Sequence, residues 1–210
     1  MSRPKVLKMP ACKAISLGLL LALFTPSYRV EAVPTNGGNT VRSFYEALLS
    51  AMKNGPSLGQ SGRFAQLDPI VRRTFDIPAM VRLSVGPYWT RLTDGQRQQV
   101  AESFGRYIAA IYADRFDDYT GQKLEVIGEQ PNAAGLVVRS QIIKANGEPV
   151  NLDYMMHPSD DGWRIADIYL DGAISEVATR RSEFSAILKN EGVDGLIAAL
   201  NRKADALNSH

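Results

Sequence analysis

The chain has 210 residues, 45% hydrophobic and 22% charged, with 24 Lys+Arg against 22 Asp+Glu and a formal charge of +2. These are ordinary values for one soluble domain built around one core. The near-balanced charge, without a long Lys/Arg run, argues against a nucleic-acid partner and against a strong electrostatic grip on anionic membrane.

Residues 1–32 read as a cleaved secretory signal. Arg3, Lys5, Lys8 and Lys13 make a basic start, ISLGLLLALF follows, and Val30-Glu31-Ala32 supplies small residues for cleavage after Ala32. The apolar run is short for a membrane span of roughly 20 residues. Cys12, the only cysteine, precedes that run, so lipid attachment is not expected. Five bases and one acid leave with the signal, so the expected mature chain carries 19 Lys+Arg and 21 Asp+Glu, a charge of −2. Residues 33–210 form the expected single mature domain, and it contains no cysteine, which excludes a disulfide scaffold and a thiolate metal site. A core alone can stabilise a domain of this size.

In chain order, VPTNGGN (33–39) reads as a Pro/Gly-rich mobile lead-in. A helix is expected over 40–53, with Val41, Phe44, Tyr45, Leu48, Leu49 and Met52 on one stripe, closed by Asn54-Gly55-Pro56. Residues 57–62 read as a loop and 63–75 as a kinked helix or helical pair, with Asp68 able to cap a turn opened by Pro69. Pro78 opens a short helix that Gly86-Pro87 terminates. The longest helix is expected over 93–119. Val100, Phe104, Ile108, Ile111, Tyr112 and Tyr119 recur at helical spacing, and Thr93 and Gln96 stand at capping-box spacing. Gly121 ends it, and the strands that follow are the expected surface for it to lie on.

Beyond it the apolar period falls to two. Four strands are expected, over 123–128, 136–145, 150–157 and 163–170. Leu136, Val138 and Ile142 share a face, as do Val150, Leu152, Tyr154 and Met156, while Asn151, Asp153 and His157 face out. Asn146-Gly147 has the positive-φ preference of a tight hairpin. Two closing helices are expected over 173–189 and 193–207, separated at Gly192. The reading is α+β: a four-stranded antiparallel sheet covered on one face by helices.

The catalytic inventory is thin. With His157 and His210 the only histidines, neither a Ser-His-Asp triad nor a multi-histidine metal site is credible, and there is no P-loop, GxGxxG or GxSxG. No metal site and no cofactor are expected. Asp117-Asp118 and Asp160-Asp161 sit at element ends and read as solvated caps or turns. Asp167 shares a strand face with Trp163 and Ile165, either as a hydrogen-bonded structural carboxylate or as a general base working with Tyr154 or Tyr169. Arg180-Arg181 interrupts an apolar stripe, and the surface partners on offer are Glu176 and Glu183.

Read together, LDPIVRRTFDIPAMVRLSVGPYWTRLTDGQRQQVAESFGRYIAAIYADRFDDYTG, the strands ending WRIADIYLDGAISEVATRRSEFSAIL, and EGVDGLIAAL resemble the periplasmic lipid-carrier family of the Mla pathway, also called the toluene-tolerance family. The resemblance spans roughly residues 40–207, and RTFDIPAM, VGPYW and ISEVATRRSEF are most similar to its hopanoid-associated branch. It implies a non-enzymatic, monomeric periplasmic carrier that shuttles a phospholipid or hopanoid between inner and outer membranes and so maintains outer-membrane lipid asymmetry. An inner-membrane transporter complex and an outer-membrane lipoprotein complex are the implied partners. The lipid tails would lie in an apolar cavity between a curved sheet and the helices.

Carried over by position, the implied lipid-binding residues are Phe75, Met80, Leu83 and Trp89 before the long helix, and Phe104, Ile108, Tyr112 and Phe116 on it. Val138, Ile142, Leu152, Tyr154, Trp163 and Ile165 would come from the sheet. On this reading Arg180-Arg181 would meet a lipid phosphate, Val138→Trp would empty the cavity, and the helices over 78–85 and 173–189 would separate from the sheet to admit tails, hinged at Gly86 and Gly172. A lipid-free envelope adaptor and a small-molecule enzyme using Asp167 are the alternatives.

Overall fold

The computed structural model describes residues 37–209. The signal segment, the cleavage after Ala32, residues 33–36 and His210 lie outside the described residues.

Helix α1 (Gly37–Lys53) starts inside the stretch whose composition reads as a loop. The reason is tertiary: the Gly38 N–H donates to Glu129 Oε2 at 2.9 Å, and a Cβ on Gly37 would lie 2.5 Å from Leu136 Cδ2, so the two glycines let this end press onto the sheet. Helix α2 (Gly55–Thr74) also takes in most of the expected 57–62 loop, broken only at Gly59, whose φ is 61°. Pro69 lies inside α2, and Asp68 pairs with Arg72 at 2.8 Å in place of the expected cap. An interior proline costs about 3 kcal/mol. Full burial of the flanking Leu67 and Val71 offsets that at about 1.5–3 kcal/mol each.

The elbow between α2 and α3 (Ile77–Val85) is pinned to the sheet. Phe75 forms a parallel bridge with Ile165, and the Asp76 N–H donates to the Ile165 carbonyl at 2.8 Å. The Asp76 carboxylate accepts from the Ala79 N–H, capping α3, and lies 3.3 Å from His157 Nδ1. His157 is thereby half-buried against the elbow, where strand alternation alone has it facing out. A 3₁₀ turn over Gly86–Arg91 leads to α4 (Asp94–Arg115), which carries the full capping box of Thr93 and Gln96. Helix α4 stops at Phe116, short of Tyr119 and Gly121. Local bonds take the backbone over there: the Tyr119 N–H donates to Asp118 Oδ1 and the Thr120 N–H to Gln122 Oε1. Tyr119 is an exposed ring under the Lys53 ammonium, away from the apolar stripe that helical spacing assigns it to.

The sheet is antiparallel throughout, in the order β1 (Lys123–Asn132), β2 (Gly135–Ile143), β3 (Pro149–Ser159), β4 (Gly162–Leu170), β5 (Ile174–Ser175). It has five strands against the four expected. Residues 171–173, with φ of 49° at Asp171 and 69° at Gly172, form a turn that returns β5 onto the end of β4, so α5 (Glu176–Asn208) begins three residues later than expected. The β2–β3 loop is wider than a two-residue hairpin, since only Gly147 has positive φ and the Lys144 N–H reaches the Glu148 carbonyl. Helix α5 is interrupted at Gly192, the expected junction of two helices.

Helix α1 packs on the sheet, α2 and α3 touch β4, and α4 packs against α2, α3 and α5. The long helix thus does not lie on the sheet as expected. It is held off it, with a space between.

Two glycines test the β2–β3 register. Gly135 and Gly147 both have positive φ, 148° and 87°, so alanine at either is expected to cost roughly 1–2 kcal/mol. Only at Gly135 would the new Cβ also meet a backbone oxygen, that of Met156 at 2.2 Å. Gly135→Ala should therefore lower the urea midpoint well beyond Gly147→Ala; equal losses would contradict this packing.

Candidate binding cavity

The space between α4 and the sheet is a cavity of about 420 Å³. Its helical wall is one face of α4: Ile108, Ile111, Tyr112, Arg115 and Phe116 recur at three and four residues, as a 3.6-residue repeat requires. The opposite wall follows from the ladder register. Leu124 pairs with Ile142, Ile142 with Val150, Leu152 with Leu170, and Tyr154 with Ile168, all on the face turned to the helices. Met52 of α1, Phe75 of the elbow and Met80 of α3 complete the base.

The two ends differ. Met80, Ile108 and Tyr154 are buried at the base, whereas Arg115 is exposed, and Leu170 and Ile174 are 40% and 58% exposed at the rim. Gln122 and the half-buried Glu176 join them there. At the base, Tyr45 and Ser140 share a 2.6 Å hydrogen bond, and the Ser140 hydroxyl donates to the Leu152 carbonyl. Burial pushes the Tyr45 phenol above its ordinary value, opposed by its bond to Ser140, and pushes Tyr154 well above it. The base therefore presents neutral groups only. At the rim, Glu176 is tied to Arg180 of α5, and the buried Arg180 also meets Glu183 at 3.0 Å and lies over the Tyr107 ring. The expected pairing of Arg180 is present, with the guanidinium buried and both carboxylate partners partly exposed.

Eight of the sequence-derived residues come together around this cavity: Phe75 and Met80, then Ile108, Tyr112 and Phe116 of α4, then Ile142, Leu152 and Tyr154 of the sheet. Six do not line it. Leu83 is 44% exposed on the outside of α3, and Trp89 is half-buried under the Arg97 guanidinium. Phe104 is buried edge-on against Phe184, because a four-residue step turns the helix by about 40° and eight residues swing Phe104 from the cavity toward α5. Val138 and Ile165 are fully buried in the core, and Trp163 borders a separate polar depression with Thr40, Ser43 and Arg73.

Asp167 also lies elsewhere. Register shifts between Met155 and Met156, which pair with Asp167 and Ile165, so Ala166 is a bulge. The bulge moves Asp167 off the face of Ile165 and puts Ile168 opposite Tyr154. The Asp167 carboxylate accepts from the Ser175 hydroxyl at 2.6 Å and from the backbone N–H groups of Ile168 and Val177, which fixes the start of α5. It is a hydrogen-bonded carboxylate outside the cavity, and after burial it is the group that pushes the neighbouring Tyr169 phenol up.

Sequence reasoning missed Arg115, Gln122 and Glu176 because an apolar-face search passes over polar groups at an opening. Leu124 and Val150 were within reach of strand alternation. Ile168 was not, since the bulge reverses parity. Among the described residues no group of three or more His, Cys, Asp or Glu is arranged to hold a metal, and no helix is long and apolar enough to cross a membrane.

The cavity makes a contrast between two neighbouring β2 positions. Ile142→Trp adds volume where there is space and is expected to stay within about 1 kcal/mol of the parent, whereas Val138→Trp overfills a closed core at roughly 1–3 kcal/mol or more. Thermal or urea midpoints read this directly, and equal losses would mean that residue 142 has no space to enter.

Residues 42–202 match the family described as MlaC protein. The intermembrane phospholipid transport system binding protein MlaC of Haemophilus influenzae is 25% identical over 125 residues, 57% of this chain and 58% of that protein, so the match spans under two thirds of that relative. A phospholipid-binding protein from Ralstonia solanacearum, solved in complex with a phospholipid, superposes with a TM-score of 0.70 at 26% identity, covering 81% of this chain and 98% of that one. With the matched span taking in α1 through most of α5, the chain belongs to the MlaC family.

Proposed function

We propose that this protein is an exported lipid carrier. In this reading residues 33–210 are the mature, monomeric periplasmic domain. It takes phospholipid tails into the cavity between α4 and the sheet and moves them between an inner-membrane transporter complex and an outer-membrane lipoprotein complex. The observation that carries the reading is the cavity itself, apolar at its base and along both walls, with Arg115, Gln122 and Glu176 confined to a rim that also exposes Leu170 and Ile174. The phospholipid held by the Ralstonia solanacearum protein and the transport role named for the Haemophilus influenzae relative support it.

Exposing a two-chain lipid with about 30 methylenes to water costs roughly 24 kcal/mol at about 0.8 kcal/mol each, so unassisted crossing is negligible. A carrier needs no bond chemistry to offset this, only a matching apolar surface. The cavity residues suit such a carrier, because the base phenols stay neutral and Asp167, the acid on which an enzyme reading depended, is bound into the start of α5. Charged head groups stay at the rim, since burying an ion costs several kcal/mol.

Size adds a constraint. At about 30 Å³ for a water-sized group, close to a methylene, the 420 Å³ cavity has room for roughly 14 of them, about half of the two tails. Both segments that the sequence suggests as a gate reach the lining, 78–85 through Met80 and 173–189 through Ile174 and Glu176. The parts bordering the rim are the end of α4, residues 116–122, and the corner that bears Leu170 and Ile174. Gly86 and Gly172, the expected hinges, have positive φ as parts of the α3 cap and the β4–β5 turn, which accounts for glycine at both.

Native mass spectrometry with lipid extraction, on protein from a host that makes phospholipids and hopanoids, tests the reading. Stoichiometric phospholipid is expected, and Ile142→Trp should reduce it at least about tenfold with little change in midpoint. Bound hopanoid would assign the cargo to the hopanoid-associated branch. A clean lipid-free mass would reject the carrier in favour of an adaptor.

A further inference from the structure

Two rim groups in the cavity have chemistry that hydrocarbon alone does not use. The first is the Tyr112 hydroxyl. Among the described residues no hydrogen-bond partner reaches it, yet it is not among the buried polar atoms sealed without a partner, so the oxygen opens onto the cavity that its ring lines. The rings around it, Phe75 and Phe116 of the wall and Phe44 of the core behind, contact the Tyr112 ring and offer no acceptor. The other phenols differ: Tyr45 is bonded to Ser140 at 2.6 Å, and Tyr154, 1% exposed, is enclosed at the base beside the Tyr45 ring.

The second is Arg115, in the last turn of α4 and exposed at the rim. A cation there is favoured by the helix dipole, but the dipole leaves its five N–H donors unused. Among the described residues Arg115 makes no ion pair or hydrogen bond, although Asp114, Asp117 and Asp118 are close in sequence. Glu176, the carboxylate across the rim, is taken by Arg180. The rim thus carries one uncommitted positive charge, and about 4.5 Å further in along the helix axis, one uncommitted hydroxyl.

That order, a cation outside and a neutral donor inside, matches the order of acceptors in a diacyl glycerophospholipid, where a phosphate stands just above ester carbonyls and the hydrocarbon begins below them. We propose that Arg115 binds the lipid phosphate while the Tyr112 hydroxyl donates to an ester carbonyl, so that the rim selects phosphate-bearing ester lipids among molecules whose tails the cavity accepts. The inference rests on the carrier reading and deepens it. Burial above all, with the neighbouring Tyr45 and Glu176 and against the Arg115 cation, pushes the Tyr112 phenol far above its ordinary value, so it stays a donor at any pH the protein meets.

The test compares retention of three probes loaded from vesicles: dioleoyl phosphatidylglycerol, its diether analogue lacking both carbonyls, and dioleoylglycerol lacking the phosphate. One satisfied carbonyl bond predicts that the parent protein retains diester over diether about five- to tenfold, a ratio that falls to about one in Tyr112→Phe. Arg115→Gln should lower retention of both phosphate-bearing lipids about three- to tenfold relative to dioleoylglycerol, weaken its salt dependence, and leave the ester preference in place. A parent ratio of one, a ratio that survives Tyr112→Phe, or phosphate-independent retention in the parent overturns the inference and leaves the carrier standing. Retention of none of the three lipids removes the carrier reading and this inference together.

Discussion

The cavity depends on three rings. Phe44 of α1 meets Phe75 of the elbow at 5.2 Å and Tyr112 of α4 at 5.0 Å, both edge-on, and Phe75 lies 5.7 Å from Tyr112. Each such pair adds about 0.5–1.5 kcal/mol beyond the area it buries. More important is where the triangle is anchored. The bridge of Phe75 to Ile165 fixes the elbow to β4, so α4 is located relative to the sheet through a ring and not through direct packing. On one side of the triangle the helices close onto a dry core, and on the other they do not close at all.

Such a gap runs against the ordinary behaviour of protein interiors, which pack as densely as organic crystals. At about 24 cal/mol per Å³, leaving 420 Å³ unfilled forfeits at most roughly 10 kcal/mol, comparable to the whole stability of a typical domain. The frame must therefore be held by interactions remote from the gap. Arg180 is one of them. Buried beneath the partly exposed Glu176 and Glu183 and over Tyr107, it joins α5 to α4, and removing either carboxylate leaves a buried guanidinium less well compensated. Asp167 is another, since its bonds to Ser175 and Val177 fasten the start of α5 to β4. The same Glu176 that borders the rim is neutralised by Arg180, so one ion pair both stiffens the frame and sets the sign of the opening.

The sequence made the frame legible wherever one local rule acted alone. The Thr93 and Gln96 capping box, the alternation of β2 and β3, and the break at Gly192 are each local signals, and each appears in the structure. Departures occur where a distant contact overrides the local rule: Gly37-Gly38 reads as loop but packs on Leu136 and Glu129, and Pro69 reads as a helix start but is carried inside α2 by Leu67 and Val71. For the cavity, periodicity identified apolar faces but not the gap between them, because a residue facing a void and one facing a core have the same pattern. Ile108 and Phe104 stand on one stripe, and only the packing of Phe184 separates their fates. The bulge at Ala166 is a similar case, since nothing in IADIYL announces the extra residue that exchanges Asp167 for Ile168.

Partial fit has a consequence for how a carrier of this size can work. If roughly 14 methylenes were buried and the remainder stayed in water, about 11 of the roughly 24 kcal/mol would be recovered, and the lipid would always return to a bilayer. Exchange in both directions requires the loaded carrier and the membrane to offer nearly equal burial, so any opening that covers more of the tails brings the two closer. The strain of opening then subtracts from affinity for the tails, which keeps release possible. The balance is set by how firmly the ring triangle and the Arg180 group hold α4 in place. A frame with α4 packed flat on the sheet would be more stable, but it would have no space to begin loading, and a frame without the triangle would have no fixed rim at which to start.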